Sequence, residues 1–472
     1  MKKIRRFSLL LLIVSMMLGL CVPASAQDDV SPAVSNGCMT LDAAVSMKGS
    51  EKLLDTAKAV ILYELGSDTL VYAWNPDQRL DPSGMNKLMT ALLALEMGDP
   101  DAIVTVTRSA LDSVTIGSVS AGLKSKEEIP LRDLLYCMMV GSANDAAAVI
   151  AEYIGGDQET FVQMMNKRAQ ELGCENTQFM NPNGLSHDEQ YTTARDLAKI
   201  TAAALQNEIF VELFSTVKYT VPATNKSKAR EVVTTNYLMS KETVRHQFDE
   251  RVTGGKTGAL STTDRSLICT AEQDGQRYLV VLMSAKGTVT ANGLSVKTFG
   301  SFEETRALLD HGFSGYERMQ VLHKDQVMDQ LKVNGGENDV IGTPARDVTV
   351  CLPVDAAVSD VVYKCMPDSG ALKAPLEKGQ VIGTIEVWYR DLCVAHSDMV
   401  AMFAVAQPGV NNIPLKPSAS ADMGGTVLFW GLIGVLAVVV LILLAVGVLL
   451  IMRAIRLRQL KRRHRLINER SR

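Results

Sequence analysis

Residues 81–98 read DPSGMNKLMTALLALEMG. Leu88, Leu92 and Leu95 recur at helical spacing, which predicts a helix over 86–97. Lys87 stands in its first turn, where a buried amine can serve as a general base. One helical turn upstream, where a nucleophile would meet that amine, stands Gly84. The nearest hydroxyl, Ser83, comes one position early.

Two other short elements belong with this one. Ser142-Ala143-Asn144 lies in MMVGSANDAAAVIAEYIGG at a helix junction, and Lys256-Thr257-Gly258 lies in RVTGGKTGAL, which predicts a strand. Alone, each reads equally well as a helix cap or a strand end. In this order, with matching flanks, they form a specific signal. A phosphate-binding loop is the rival for Gly255-Lys256-Thr257, but it requires glycine at position 250, which is Glu250.

Around these elements, AVILYELGSDTLVYAWN (59–75) alternates about a Gly-Ser-Asp turn and predicts a β-hairpin. Helices are expected over 131–154, 158–173 (ending at Gly173) and 193–206, with a turn at Asn181-Pro182-Asn183-Gly184. Residues 251–287 return to strands. Strand pair, helices, strands predicts an α+β domain with one antiparallel sheet built from both ends of the segment. From 316 to 406, short strands such as VTVCLP and the stretch ALKAPLEKGQVIGTIEVWYRD predict a small β-sandwich.

The ends of the 472-residue chain differ from its middle. Residues 1–26 have the basic start, apolar run and Ala24-Ser25-Ala26 site of a signal peptide. Cys21 follows Leu20 where a lipidation signal needs a small residue. Residues 407–425 are rich in Pro, Ser and Gly and read as a linker. Residues 426–452 predict a transmembrane helix, and the basic tail 453–472 predicts a cytoplasmic C-terminus with everything before the span outside. A net charge of −4 gives no reason to expect nucleic acid as a partner. Seven cysteines remain after residue 26, without CxxC or Cys/His metal spacing. They read mostly as buried thiols, with a single disulfide such as Cys351–Cys365 as the other arrangement.

With these elements in hand the sequence resembles the low-molecular-weight penicillin-binding proteins, the serine-type D-alanyl-D-alanine carboxypeptidases. The likeness is carried by DPSGMNKLMTALLALEMG, VGSANDAAAVIAEYIGG, NPNGLSHDEQYTTARDLAKI and GGKTGALSTTDRSLICTAEQDGQRYLVVLM, and reaches ALKAPLEKGQVIGTIEVWY. It implies a penicillin-binding-protein/β-lactamase-like transpeptidase domain (27–315), then a β-sandwich (316–406). It implies a peptidoglycan stem peptide as substrate, β-lactams as ligands if a nucleophile is available, and no metal or organic cofactor. By resemblance Lys87 is the base, Lys256 a second cation, Ser142 a proton relay, and Asn144 the holder of the substrate amide. Lys256, Thr257, Gly258 and Ala259 would bind substrate, with the amides of residues 84 and 259 as oxyanion donors.

The sequence departs from the family at the nucleophile. Relatives read roughly P-A-S-x-T-K; this chain reads P-S-G-M-N-K, so Gly84 holds the serine position and Asn86 that of a threonine. Gln190 aligns with a usual histidine, and Thr263-Asp264 with a usual Ala-Gly pair. Ser83 is either a displaced nucleophile or a helix cap; a one-residue shift turns a helical side chain by about 100°. Three functions follow: an impaired D-Ala-D-Ala carboxypeptidase, a catalytically silent relative that binds stem peptides or a cell-wall partner, and a β-lactamase. The β-sandwich and membrane anchor count against the last.

Overall fold

The computed structural model describes residue 41 and residues 52–408, apart from 243–244 and 292–295. The expected signal peptide, the linker beyond residue 408, the membrane span and the tail lie outside the described residues. Among the described residues no helix is long and apolar enough to cross a membrane.

Eighteen strands occur among the described residues. Those before the first long helix are β1 (Ala59–Glu64) and β2 (Thr69–Trp74). Four short ones follow: β3 (Ile103–Thr105), β4 (Glu128–Pro130), β5 (Lys218–Val221) and β6 (Arg230–Val233). Next come β7 (Val252–Ala259), β8 (Asp264–Gln273) and β9 (Gln276–Lys286), with β10 (Thr288–Val289) and β11 (Val296–Thr298) beyond. The first sheet has the order β2-β1-β9-β8-β7, antiparallel throughout, so its two halves come from opposite ends of the domain as the pattern predicts.

β1 is buried along its whole length because both sheet faces are covered. Ala59, Ile61 and Tyr63 face the core shared with the Asn86–Met97 and Leu131–Met139 helices. Val60 and Leu62 pack with Phe302, Leu308 and Leu309 of the Gly300–Gly315 helix. The two-residue period of a strand therefore divides one sequence between two apolar layers.

The helix expected over 131–154 is two helices, Leu131–Met139 and Asn144–Gly155. Ser142 breaks it with a left-handed φ of 58°. Gly141 permits the break: a Cβ there would lie 2.9 Å from the Cys137 carbonyl oxygen. Elsewhere local signals held. Asp157 caps the Gln158–Glu171 helix through Thr160 N, and Thr193 caps Ala194–Ala204 through Asp196 N.

The second domain contains β12 (Tyr316–Leu322), β13 (Asp329–Leu331), β14 (Val340–Pro344), β15 (Val348–Pro353), β16 (Val361–Pro367), β17 (Val381–Tyr389) and β18 (Leu392–Ala401). β12 pairs with β15, and the others form a sheet ordered β13-β14-β18-β17-β16. Only the later part of ALKAPLEKGQVIGTIEVWYRD is a strand; Ala371–Gln380 is irregular. Cys351 N donates to Thr69 Oγ1 (3.2 Å) and the Tyr278 hydroxyl lies 3.4 Å from Cys351 Sγ, which docks β15 on the first domain. Cys351 and Cys365 are free thiols, so the disulfide drawn between them is not present.

Candidate active site

The site forms where the turn Ser83–Met85, the break at Ser142 and strand β7 meet. Asp81 Oδ1 accepts from Ser83 N (2.7 Å), and Ser83 takes a left-handed φ of 47°. Its hydroxyl is buried and has no hydrogen-bond partner among the described residues. Neither the turn nor the Asn86–Met97 helix has a side-chain cap, so Ser83 is not the cap that its position after proline suggests.

Gly258 explains the close approach of the turn to β7. A Cβ on it would collide with Ser83 Oγ and lie 3.4 Å from Gly84 N. The glycine expected to admit substrate thus admits the turn that carries residues 83–85. Gly84 faces the opposite way from strain: a Cβ on it would sit 3.2 Å from the Thr257 carbonyl oxygen and 3.9 Å from Ser142 Oγ. Position 84 therefore points at the hydroxyl that the sequence assigns to proton relay, and carries no side chain.

The remaining predicted residues converge. Lys87 Nζ donates to Asn144 Oδ1 (2.7 Å) and to the Asn183 carbonyl oxygen. Lys256 Nζ donates to Ser142 Oγ (2.8 Å) and Thr257 O (3.0 Å). Both lysines are at most 2% exposed, which is rare without a carboxylate partner. Burial, and then the neighbouring Lys256 charge, hold the Lys87 amine well below the usual lysine range, against an opposing pull from Asp145. Burial pushes Lys256 down to about 7. A neutral amine at Lys87 is a proton acceptor; what it lacks is an oxygen at position 84 to take a proton from.

Three features of the site escaped the sequence reading. Asn183 holds Lys87 through its backbone carbonyl, which side-chain motifs cannot reveal. Thr235 Oγ1 lies 2.5 Å from Thr257 Oγ1, and no pattern in its neighbourhood marks it. The third is a relation: Asn86 Nδ2 donates to Gln190 Oε1 (2.7 Å), so two separate departures from the family pattern are one contact.

A comparison of the whole sequence with family profiles matches "D-alanyl-D-alanine carboxypeptidase" over residues 47–287, more than half of the chain. The chain belongs to the D-alanyl-D-alanine carboxypeptidase family. A second profile, "Penicillin-binding protein 5, C-terminal domain", matches residues 316–407 and accounts for the β-sandwich. Among carboxypeptidase relatives, DacD of Escherichia coli is 31% identical over 74% of this chain and 86% of its own length. DacF of Bacillus subtilis is 29% identical over 72% of this chain and 83% of its own. Penicillin binding protein 5 from Haemophilus influenzae superposes with a TM-score of 0.62 at 28% identity, covering 76% of this chain and all of that one.

Proposed function

We propose that this protein is a membrane-anchored, extracytoplasmic carboxypeptidase-family member that binds the D-Ala-D-Ala end of peptidoglycan stem peptides with acyl transfer impaired or silent. In a serine enzyme of this kind, an oxygen at position 84 attacks the carbonyl between two terminal D-alanines. The C–O bond forms, the neutral lysine takes the hydroxyl proton, and the peptide C–N bond breaks as a proton relayed through the Ser142 hydroxyl reaches the leaving amine. Gly84 offers no such oxygen. The observation that carries the reading is its pairing with an otherwise assembled site: Lys87–Asn144 and Lys256–Ser142 stay hydrogen-bonded around the vacant side-chain position.

The retained groups suit recognition. Asn144 would hold the substrate amide, Lys256 and Thr257 the terminal carboxylate, and the amides of residues 84 and 259 the carbonyl oxygen. Gly258 and Ala259 would line the bound peptide along β7. β-Lactams, which present a carboxylate and a strained carbonyl, would occupy the same groups reversibly. The anchor at 426–452, the signal peptide at 1–26 and the basic tail at 453–472 support placement of residues 27–425 outside the cytoplasmic membrane.

A working enzyme with Ser83 as nucleophile is the second reading, favoured by one observation: that hydroxyl is buried beside the site and unpartnered. Covalent labelling with a fluorescent penicillin separates the two. The parent is expected to take no label and Gly84→Ser to gain it. Label on the parent that vanishes in Ser83→Ala, or D-alanine release that depends on Ser83, would replace the binder with an enzyme.

A further inference from the structure

The two domains leave a polar cavity of about 200 Å³ between them. Its walls include Gly66 and Asp68 of the β1–β2 turn, Arg318 of β12, Arg346 and Asp347 just before β15, and His396 of β18. None of the residues that line it belongs to the site around Lys87. The volume far exceeds the ~10–15 Å³ that one water needs, and falls short of the roughly 300 Å³ at which pockets for whole small molecules begin. It suits a single polar group.

The cavity has donors to spare. Arg346 is exposed and makes no hydrogen bond or ion pair among the described residues, so all five of its N–H groups are available. It is not there to dock the domains. Arg318 spends Nη1 on the Gly275 carbonyl oxygen (3.3 Å) and stands 3.9 Å from Glu64 through Nε, which leaves Nη2 uncommitted. Gly66 makes room for that guanidinium, because a Cβ there would lie 3.1 Å from Arg318 Cζ. His396 Nδ1 is buried without a hydrogen-bond partner among the described residues. An imidazole with its hydrogen on Nδ1 supplies a third donor. The acceptors are already engaged. Asp68 accepts from the Tyr63 hydroxyl, and Asp347 Oδ1 from Lys324 N (2.8 Å). Glu386, which pairs with His396 across β17 and β18, accepts from Trp388 Nε1 (2.8 Å).

The geometry points to a site for a phosphate group, carried by the free ion or by a small ester. Two guanidinium groups and an imidazole, brought from three separate segments, offer more donors than the two oxygens of a carboxylate can accept. A phosphate presents three or four, and arginine forks match them. Asp68 and Asp347 balance the two arginines in formal charge, so the site selects by directed hydrogen bonds more than by net charge. A bound phosphate would bridge the turn of the first domain to β12 and β18 of the second.

The experiment is isothermal titration calorimetry of the full-length protein in detergent at pH 7, in a phosphate-free buffer of fixed ionic strength. The probes are inorganic phosphate and glycerol 3-phosphate, with sodium chloride as the control. The parent is expected to bind one equivalent of phosphate, and the tighter of the two probes tells whether the ion or the ester is the natural form. Arg346→Gln is expected to weaken binding at least about tenfold, the loss of one charge-assisted contact. Since Arg346 bonds to nothing, that variant is expected to keep the parent's unfolding midpoint in the absence of phosphate. His396→Ala is expected to weaken binding as well. No saturable heat in the parent, heat that chloride reproduces, or either variant binding as tightly as the parent would overturn the inference.

Discussion

At the scale of single residues, the proposed reading turns on Gly84, with Ser83 as the rival oxygen beside it. Gly84 does not need a positive φ, and the one tight neighbour of a Cβ there is the Thr257 carbonyl oxygen at 3.2 Å, so serine fits after a shift of a few tenths of an ångström. Gly84→Ser is therefore expected to raise the rate of penicillin acylation by at least about 10²-fold, measured by time-resolved fluorescence labelling. Ser83→Ala removes a buried hydroxyl without a hydrogen-bond partner among the described residues; it is expected to leave ligand binding unchanged and to stabilise the fold by up to about 1 kcal/mol in urea unfolding. The lysines give a pH prediction. Lys256 has a folded-state pKa of about 7, below that of the unfolded chain. Between pH 7 and about 10.4 the unfolded state binds more protons, so this group's penalty is full below pH 7 and fades as pH rises. The stability difference between the parent and Lys256→Met should shift in the parent's favour across that window, which paired denaturation curves at pH 7 and pH 10 would measure. The residue types of the site were readable because chemistry restricts them: an amine, a hydroxyl and an amide at fixed spacings. The packing of the 83–85 turn against Gly258 was not legible, because spacing says nothing about which backbone approaches a glycine.

At the scale of elements, the helix Asn86–Met97 acts as a clamp on the loop that follows Met180. Asn86, Thr90 and Lys87 donate in turn to the carbonyls of Asn181, Pro182 and Asn183. Gly184, at a φ of 80°, turns the loop away where any Cβ would collide with the Ser83 carbonyl. Gln190 Oε1 accepts from both Asn86 and Met180 N, which ties the far end of the loop to the same helix. Asn86→Ala and Gln190→Ala are each expected to cost about 1–3 kcal/mol, because each strands a buried partner. The double variant should cost less than their sum by roughly 1 kcal/mol, a coupling that a double-mutant cycle in urea measures directly. Hairpin, helix starts and strand runs were legible because caps, turns and two-residue alternation are local. The break at Gly141–Ser142 was legible only as a junction, since the left-handed φ of Ser142 and the crowding of Gly141 by Val232 of a distant strand, which a Cβ would meet at 3.2 Å, are tertiary features.

At the scale of the whole molecule, the second profile begins at residue 316, where the secondary structure changes character between the Gly300–Gly315 helix and β12. The second domain leans on the first through β15, and Arg318 of β12 stands 3.9 Å from the fully buried Glu64 at the end of β1. Glu64 is already satisfied by Ser67 N (2.6 Å) and Arg277 N (3.1 Å), so the ion pair adds little and Arg318→Ala is expected to shift stability by less than about 1 kcal/mol in thermal unfolding. The domain order was legible because each domain has its own periodicity; their docking was not, because it depends on single contacts such as Cys351 with Thr69. The order β2-β1-β9-β8-β7 carries a temporal consequence. The hairpin of β1 and β2 has one open edge until β9 arrives, more than two hundred residues later. A chain released or cut before residue 286 therefore holds most of its helices yet no finished sheet for them to rest on, and in the full chain the pairing of β1 with β9 is a contact of long sequence separation, the kind that forms slowly.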